Sequence, residues 1–184
     1  MTPDLDSVDA DGRPLHSLTG DQISHVAFYN SSARVIAAYW LSYRGMRVHY
    51  GDIQPGHSMM METFVTHPWV FVDEADRLDM LVNDGGGATA ATAEAASLST
   101  RSYKDSRPYF FPSEFEDARR RHLVVVHPRL HSLKTLAMAV VRRQVARKEL
   151  RLTQELVPAS LIREVDRPPP KRGHLSLDEM QYFR

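Results

Sequence analysis

Cysteine is absent from the 184 residues, which excludes a disulfide framework and any thiolate metal site. The absence fits a reducing compartment. No run of about 18 apolar residues occurs, so no membrane-spanning helix is expected. The N-terminus lacks a basic segment followed by an apolar one, and no signal peptide is expected. Catalytic signatures are missing as well: there is no GxSxG, HExxH, P-loop or GxGxxG. His67, Asp73 and Thr63 can be drawn as a triad, but nothing places an oxyanion hole beside them. Net charge is also lacking, because 23 basic residues balance 23 acidic ones. Composition makes no general case for nucleic acid or an acidic membrane as a partner.

What is present is enough apolar residue, 42%, to build one domain with a small appendage. Residues 1–20 carry Asp4, Asp6, Asp9 and Asp11 against Arg13 alone and read as a mobile acidic arm. Short apolar segments then alternate with turn signals. They are Ile23 to Tyr29, Val35 to Leu41, Met46 to Tyr50, Met59 to Val65, Trp69 to Val72 and Met80 to Val82, with Asn30-Ser31-Ser32, Gly45 and Pro55-Gly56 between them. Short β-branched and aromatic strands separated by turns predict a β-sandwich or small barrel. Residues 84–107, with three consecutive glycines and an Ala/Thr/Ser tract, are expected to be a disordered insertion. Tyr109 to Phe111 and His122 to Val126 are the last strand candidates.

At Ser132 the apolar period changes from two to 3.6. Leu133, Leu136, Ala137, Val140, Val141 and Val145 then share one helical face, with Ser132 as N-cap. Pro158 opens a second helix using Leu161, Ile162 and Val165, and Pro168-Pro169-Pro170 ends it. Ser176 to Glu179 form a capping-box pattern for a short last helix. The expected fold is mainly β plus α. An N-terminal β-sandwich over 21–130 precedes a small helical domain over 131–184.

Two further groups have ordinary explanations. His122, His127 and His131 have loose metal-like spacing but no carboxylate or cysteine in a matching motif, and no metal is expected. Arg119-Arg120-Arg121 and the basic run Arg142 to Arg151 read as solvated surface rather than a nucleic-acid interface.

The strand region resembles the β domain of the von Hippel–Lindau family. The likeness lies in Asn30-Ser31-Ser32-Ala33-Arg34-Val35, Trp40-Leu41, Gln54-Pro55-Gly56, His67-Pro68-Trp69-Val70-Phe71 and Leu81-Val82-Asn83, and it resumes at Phe111-Pro112-Ser113. Residues 133–142 look like that family's elongin-binding helix. The resemblance implies a non-catalytic substrate-recognition subunit of a cullin-RING ubiquitin ligase, cytoplasmic and nuclear, without a cofactor. It implies binding of a 4-hydroxyproline peptide from a hypoxia-inducible factor alpha subunit, for ubiquitination and proteasomal degradation.

By position, the resemblance implies that Tyr50 bonds the peptide backbone and that Thr63, in place of a serine, and His67 bond the hydroxyl. Trp69 forms the pocket floor and Trp40 its wall. Phe64 replaces a tyrosine, Glu62 a histidine, and Asp21 falls near an arginine position, so flanking peptide contacts are expected to differ. It further implies that Ser132, Leu133, Ala137, Val140 and Val141 meet elongin C of an elongin B/C pair. Val157, Pro158, Leu161 and Ile162 would face the cullin. Ala137 stands where the box has cysteine, so weaker elongin C binding or a compensating partner is expected.

The residue chemistry agrees with the central pocket. A hydroxyl donates once and accepts twice, and Thr63 with a neutral His67 can complement it. A site built for a hydroxyl rejects its deoxy analogue by about 10⁴–10⁵. By pattern alone, the tryptophans are sandwich core and the Leu133 stripe is an intramolecular helix face. The competing functional reading is a β-sandwich interaction module of another specificity without a ligase role. A hydrolase using His67 is a more distant one.

Overall fold

The structure is a computed structural model that describes residues 7–84, 106–114, 121–151 and 157–166. Among these residues seven strands form two sheets. They are β1 (Ile23–Asn30), β2 (Ile36–Leu41), β3 (Arg47–Ile53), β4 (Ser58–Phe64), β5 (Trp69–Asp73), β6 (Leu81–Asp84) and β7 (His122–His127). One sheet runs β4-β1-β7-β6 and the other β3-β2-β5. All pairings are antiparallel except β1 with β7, which is parallel. Two helices follow, α1 (Leu133–Ala146) and α2 (Ala159–Asp166). No helix among the described residues is long and apolar enough to cross a membrane.

The core lies between the sheets. Val26 and Phe28 of β1 and Val124 and Val126 of β7 face Ile36, Ala38 and Trp40 of β2 and Trp69 and Phe71 of β5. Period-two alternation brings these residues to one face. Phe28 anchors the layer, its ring 4.8 Å from that of Phe71 and 5.4 Å from that of Trp69.

The second face of β2 is buried too. Ala37, Tyr39 and Leu41 join Val70 and Val72 of β5 under Leu15, with Tyr109 packed beside them. This cover corrects the expectation of a mobile arm over 1–20. From Ser7 onward the arm is placed against the sandwich. Leu15 and Ser17 are buried, Leu15 N–H bonds Ser7 O, and Ser17 N–H bonds Ser42 O. The physical reason is the unbroken apolar run of β2, Ile36-Ala-Ala-Tyr-Trp-Leu41, which needs cover on both faces.

The borders of the expected insertion are structured as well. Asp84 ends β6, and Val82 and Arg107 exchange backbone hydrogen bonds at 2.8 and 2.9 Å. Residues 85–105 lie outside the described residues. Tyr109 to Phe111 form no strand; a single bridge joins Phe110 to Trp69. That bridge still seats Phe110 in the core.

The turns expected at Asn30 and Pro55-Gly56 meet in space. The buried Asn30 amide donates to Arg34 O (2.7 Å) and Ile53 O (2.8 Å). Its Oδ1 accepts from Ser32 N–H and Ser32 Oγ. Its backbone bonds His57 O and receives Gly56 N–H. Gly56 has φ +70°, a left-handed conformation that glycine adopts without a Cβ penalty.

Helix α1 starts as expected. Ser132 Oγ accepts from Thr135 N–H at 3.1 Å. Contacts between its start and the sandwich include His131 Nε2 donating to Asp79 O (3.2 Å), and farther along Arg143 lies 3.5 Å from Asp76. Asp76 and Asp73 are also held by Arg34. Helix α2 begins at Ala159, with Pro158 O accepting from Leu161 and Ile162 N–H. Arg142 Nε donates to Val165 O across the two helices. The proline stop and the 176–179 capping box lie outside the described residues.

Candidate functional site

Trp69 opens β5 opposite Trp40 of β2, paired in register. Its indole Nε1–H donates across the sandwich to Thr63 Oγ1 of β4 at 3.0 Å. Thr63 is 3% exposed. This bond ties the two sheets together and consumes one lone pair of the hydroxyl. The Thr63 O–H and a second lone pair remain by stoichiometry.

Tyr50 reaches the same place through a bulge. In the β2–β3 ladder, Ala38 pairs with Gly51 and Tyr39 with His49, so Tyr50 is the extra residue. A bulge re-aims a side chain, and here the Tyr50 ring packs edge-on against Trp69 at 5.3 Å. Gly51 beside it leaves room for Met59, whose Cε would lie 2.8 Å from an added Cβ. Tyr50 is 45% exposed, unlike the residues beneath it.

His67 sits in the β4–β5 turn, which is closed by His67 N–H to Phe64 O. Its ring lies 5.1 Å from Trp40, 4.9 Å from Phe64 and 5.5 Å from Tyr43. Nε2 is 3.2 Å from Tyr43 Oη. The Thr19 backbone stands beside the ring, and its carbonyl accepts from Thr66 Oγ1 at 2.6 Å. Burial drives the His67 pKa down to about 4, opposed by the Thr19 bond, so the ring is neutral at pH 7.

Trp40, Tyr50, Thr63, Phe64, His67 and Trp69, the expected site residues, thus form one contiguous cluster. It has two halves: Thr63, Trp69 and Tyr50, then His67, Trp40 and Phe64. Four of the six are buried, so the cluster is closed rather than an open pocket. Three residues that sequence reasoning missed close it. Ser17 Oγ accepts from Trp40 Nε1–H at 2.7 Å and donates to Leu41 O. Thr19 and Tyr43 hold His67. Tyr43 carried a signal, an aromatic three residues beyond Trp40. Ser17 and Thr19 carried none, because an acidic, glycine-dotted arm predicts no packing.

The departures sit at the rim. Glu62 is 3.6 Å from His25 on β1, and Asp21 is exposed. The paper triad does not assemble, because Asp73 is engaged by Arg34. The three histidines read for metal have separate partners: Ser113 for His122, Ser106 for His127 and Asp79 for His131.

On α1, Leu133 is 86% exposed, and Leu136, Ala137 and Val140 are exposed with it. Val141 is half-buried, and Ala139 is the residue packed inward. The stripe is therefore not an intramolecular face among the described residues. Nearby, Pro158 and Leu161 are exposed and Val157 and Ile162 half-buried.

Sandwich and cluster together define a two-sheet β domain with a largely buried aromatic–hydroxyl cluster between the sheets. Residues 15–86 match the family model of the VHL beta domain, a likeness that supports the von Hippel–Lindau family for the sandwich. The match opens at Leu15, the arm residue that covers β2, and contains every residue of the aromatic–hydroxyl cluster.

Proposed function

We propose that this protein is the substrate-recognition subunit of a cullin-RING ubiquitin ligase. Its ligand is a 4-hydroxyproline peptide of a hypoxia-inducible factor alpha subunit. Elongin B/C and a cullin with its RING protein are the partners, and the complex works in cytoplasm and nucleus. The protein is a non-catalytic adaptor and uses no cofactor.

The observation that carries this reading is the Trp69–Thr63 hydrogen bond. It orients a buried hydroxyl that keeps one donor and one acceptor in reserve, beside a half-exposed tyrosine and against indole rings. The apolar pyrrolidine suits the rings, and its hydroxyl suits Thr63. The Tyr50 phenol serves the peptide backbone. Because Thr63 is closed over, binding includes a local displacement of the aromatic cover. The uncovered stripe of Leu133, Leu136, Ala137 and Val140 supports the helix as the elongin C face, since large apolar residues at helical spacing suit a partner groove.

Calorimetry with matched prolyl and hydroxyprolyl peptides tests the ligand. The hydroxyprolyl form binds and the prolyl form does not; equal affinities refute it. Leu133→Asp tests the ligase arm: it abolishes co-purification with elongin C while leaving the melting temperature unchanged. If wild-type protein captures no elongin C, the second reading stands, an interaction module without a ligase role. The exposed Ala137, one methyl where the box has cysteine, favours that outcome.

A further inference from the structure

We propose that the Tyr43 hydroxyl occupies, in the free protein, the hydrogen-bonding position on His67 that a ligand hydroxyl takes on binding, which makes Tyr43 a specificity-determining residue. This inference rests on the receptor reading above and adds a residue to it.

A neutral imidazole ring has one N–H and one lone pair. The Thr19 backbone stands beside the ring of His67, a partner for an N–H on Nδ1. Nε2 faces Tyr43 Oη at 3.2 Å; with the N–H on Nδ1, Nε2 is the acceptor and the phenol is the donor. That lone pair is single and already engaged. The ring is 1% exposed, so water has no access to it.

The phenol is held in place from several sides. Its ring stands edge-on to Trp40 (5.8 Å, 84°) and to His67 (5.5 Å, 88°). Gly20 of the arm passes so near that an added Cβ would lie 3.3 Å from Tyr43 Oη. Trp40, Phe64, Tyr43 and the Thr19–Gly20 backbone thus enclose the acceptor. A ligand hydroxyl reaches Nε2 by displacing the phenol, exchanging one hydrogen bond for another.

The exchange has a consequence for selectivity. With Tyr43 in place, a prolyl peptide leaves His67 satisfied, so His67 adds little to discrimination and Thr63 supplies most of it. Without the phenol hydroxyl, Nε2 is a buried, unpaired acceptor in the free protein and under a prolyl peptide. The ligand hydroxyl then relieves an unmet group rather than replacing a partner.

Tyr43→Phe in the full chain is the test, because it keeps the ring and removes the hydroxyl. The hydroxyprolyl peptide is expected to bind about tenfold tighter to the variant, with prolyl affinity unchanged. Unchanged or weaker hydroxyprolyl binding overturns the inference, provided the wild type discriminates between the peptides. If the wild type does not discriminate, the receptor reading fails on its own. The imidazole nitrogen spectrum of the free protein then decides the remaining point. A proton on Nδ1 with Nε2 unprotonated, and a shifted Nε2 resonance in the variant, support the Tyr43 bond. A proton on Nε2 in the wild type overturns it without any ligand.

Discussion

His67 couples the site to pH. Its folded pKa of about 4 lies below the ordinary 6.5 because burial disfavours the imidazolium. Between those values the unfolded chain binds more protons than the folded one, so stability rises with pH across the window and is lost as pH falls from 6.5 to about 4. The full shift corresponds to about 3 kcal/mol. Urea unfolding from pH 7 to pH 4 should show that loss, and His67→Gln should remove most of the slope. A smaller slope in the same direction remains from His127, also lowered by burial. Thr63→Val is the second residue-level prediction. It strands the Trp69 indole N–H inside the core and should cost about 1–3 kcal/mol in urea unfolding; an unchanged midpoint would show the bond to be dispensable. The six cluster residues were legible because five fall at β-strand positions and His67 in the turn between two of those strands, at the spacing of the family resemblance. Their closure was not. The Tyr43–His67 and Thr19–Thr66 contacts span 24 and 47 positions, and nothing local in sequence marks such pairs.

At the scale of elements, Asn30 joins the end of β1 to the β3–β4 turn through its amide. Asn30→Asp replaces the NH₂ that serves Arg34 O and Ile53 O with a carboxylate oxygen facing both. The expected loss is about 3–5 kcal/mol at pH 7, read by chemical denaturation. A loss under about 1 kcal/mol would mean water replaces the amide. Strand positions were legible from alternation and turn residues, with ends shifting by one or two positions. The extension of β3 to Ile53 was hidden because Gly51 and Asp52 disfavour strand by propensity. The Tyr50 bulge was hidden for a different reason, since a bulge belongs to the pairing of two strands. For α1, period and N-cap located the helix from sequence alone. Which face turns outward was open, because a stripe meeting a partner and one meeting its own domain share one pattern.

For the whole molecule, Val82 and Arg107 are bonded neighbours on either side of the undescribed stretch 85–105. Their closeness means that a short connection suffices to join them. Deleting 86–104 should therefore move the melting temperature by no more than a few degrees, since loop-closure entropy changes slowly with length. Extending the cut through Arg107 should cost visibly more, because it removes the bridge and the run toward Phe110. Equal losses from both cuts would assign the stability to the deleted stretch itself. The parallel pairing of β1 with β7 also bears on the order of synthesis. Residue 69 completes the aromatic–hydroxyl cluster, yet β1 keeps a bare edge until His127 has left the ribosome. A nascent chain therefore carries the whole cluster on an unfinished sheet, with an open strand edge of the kind that other chains can capture.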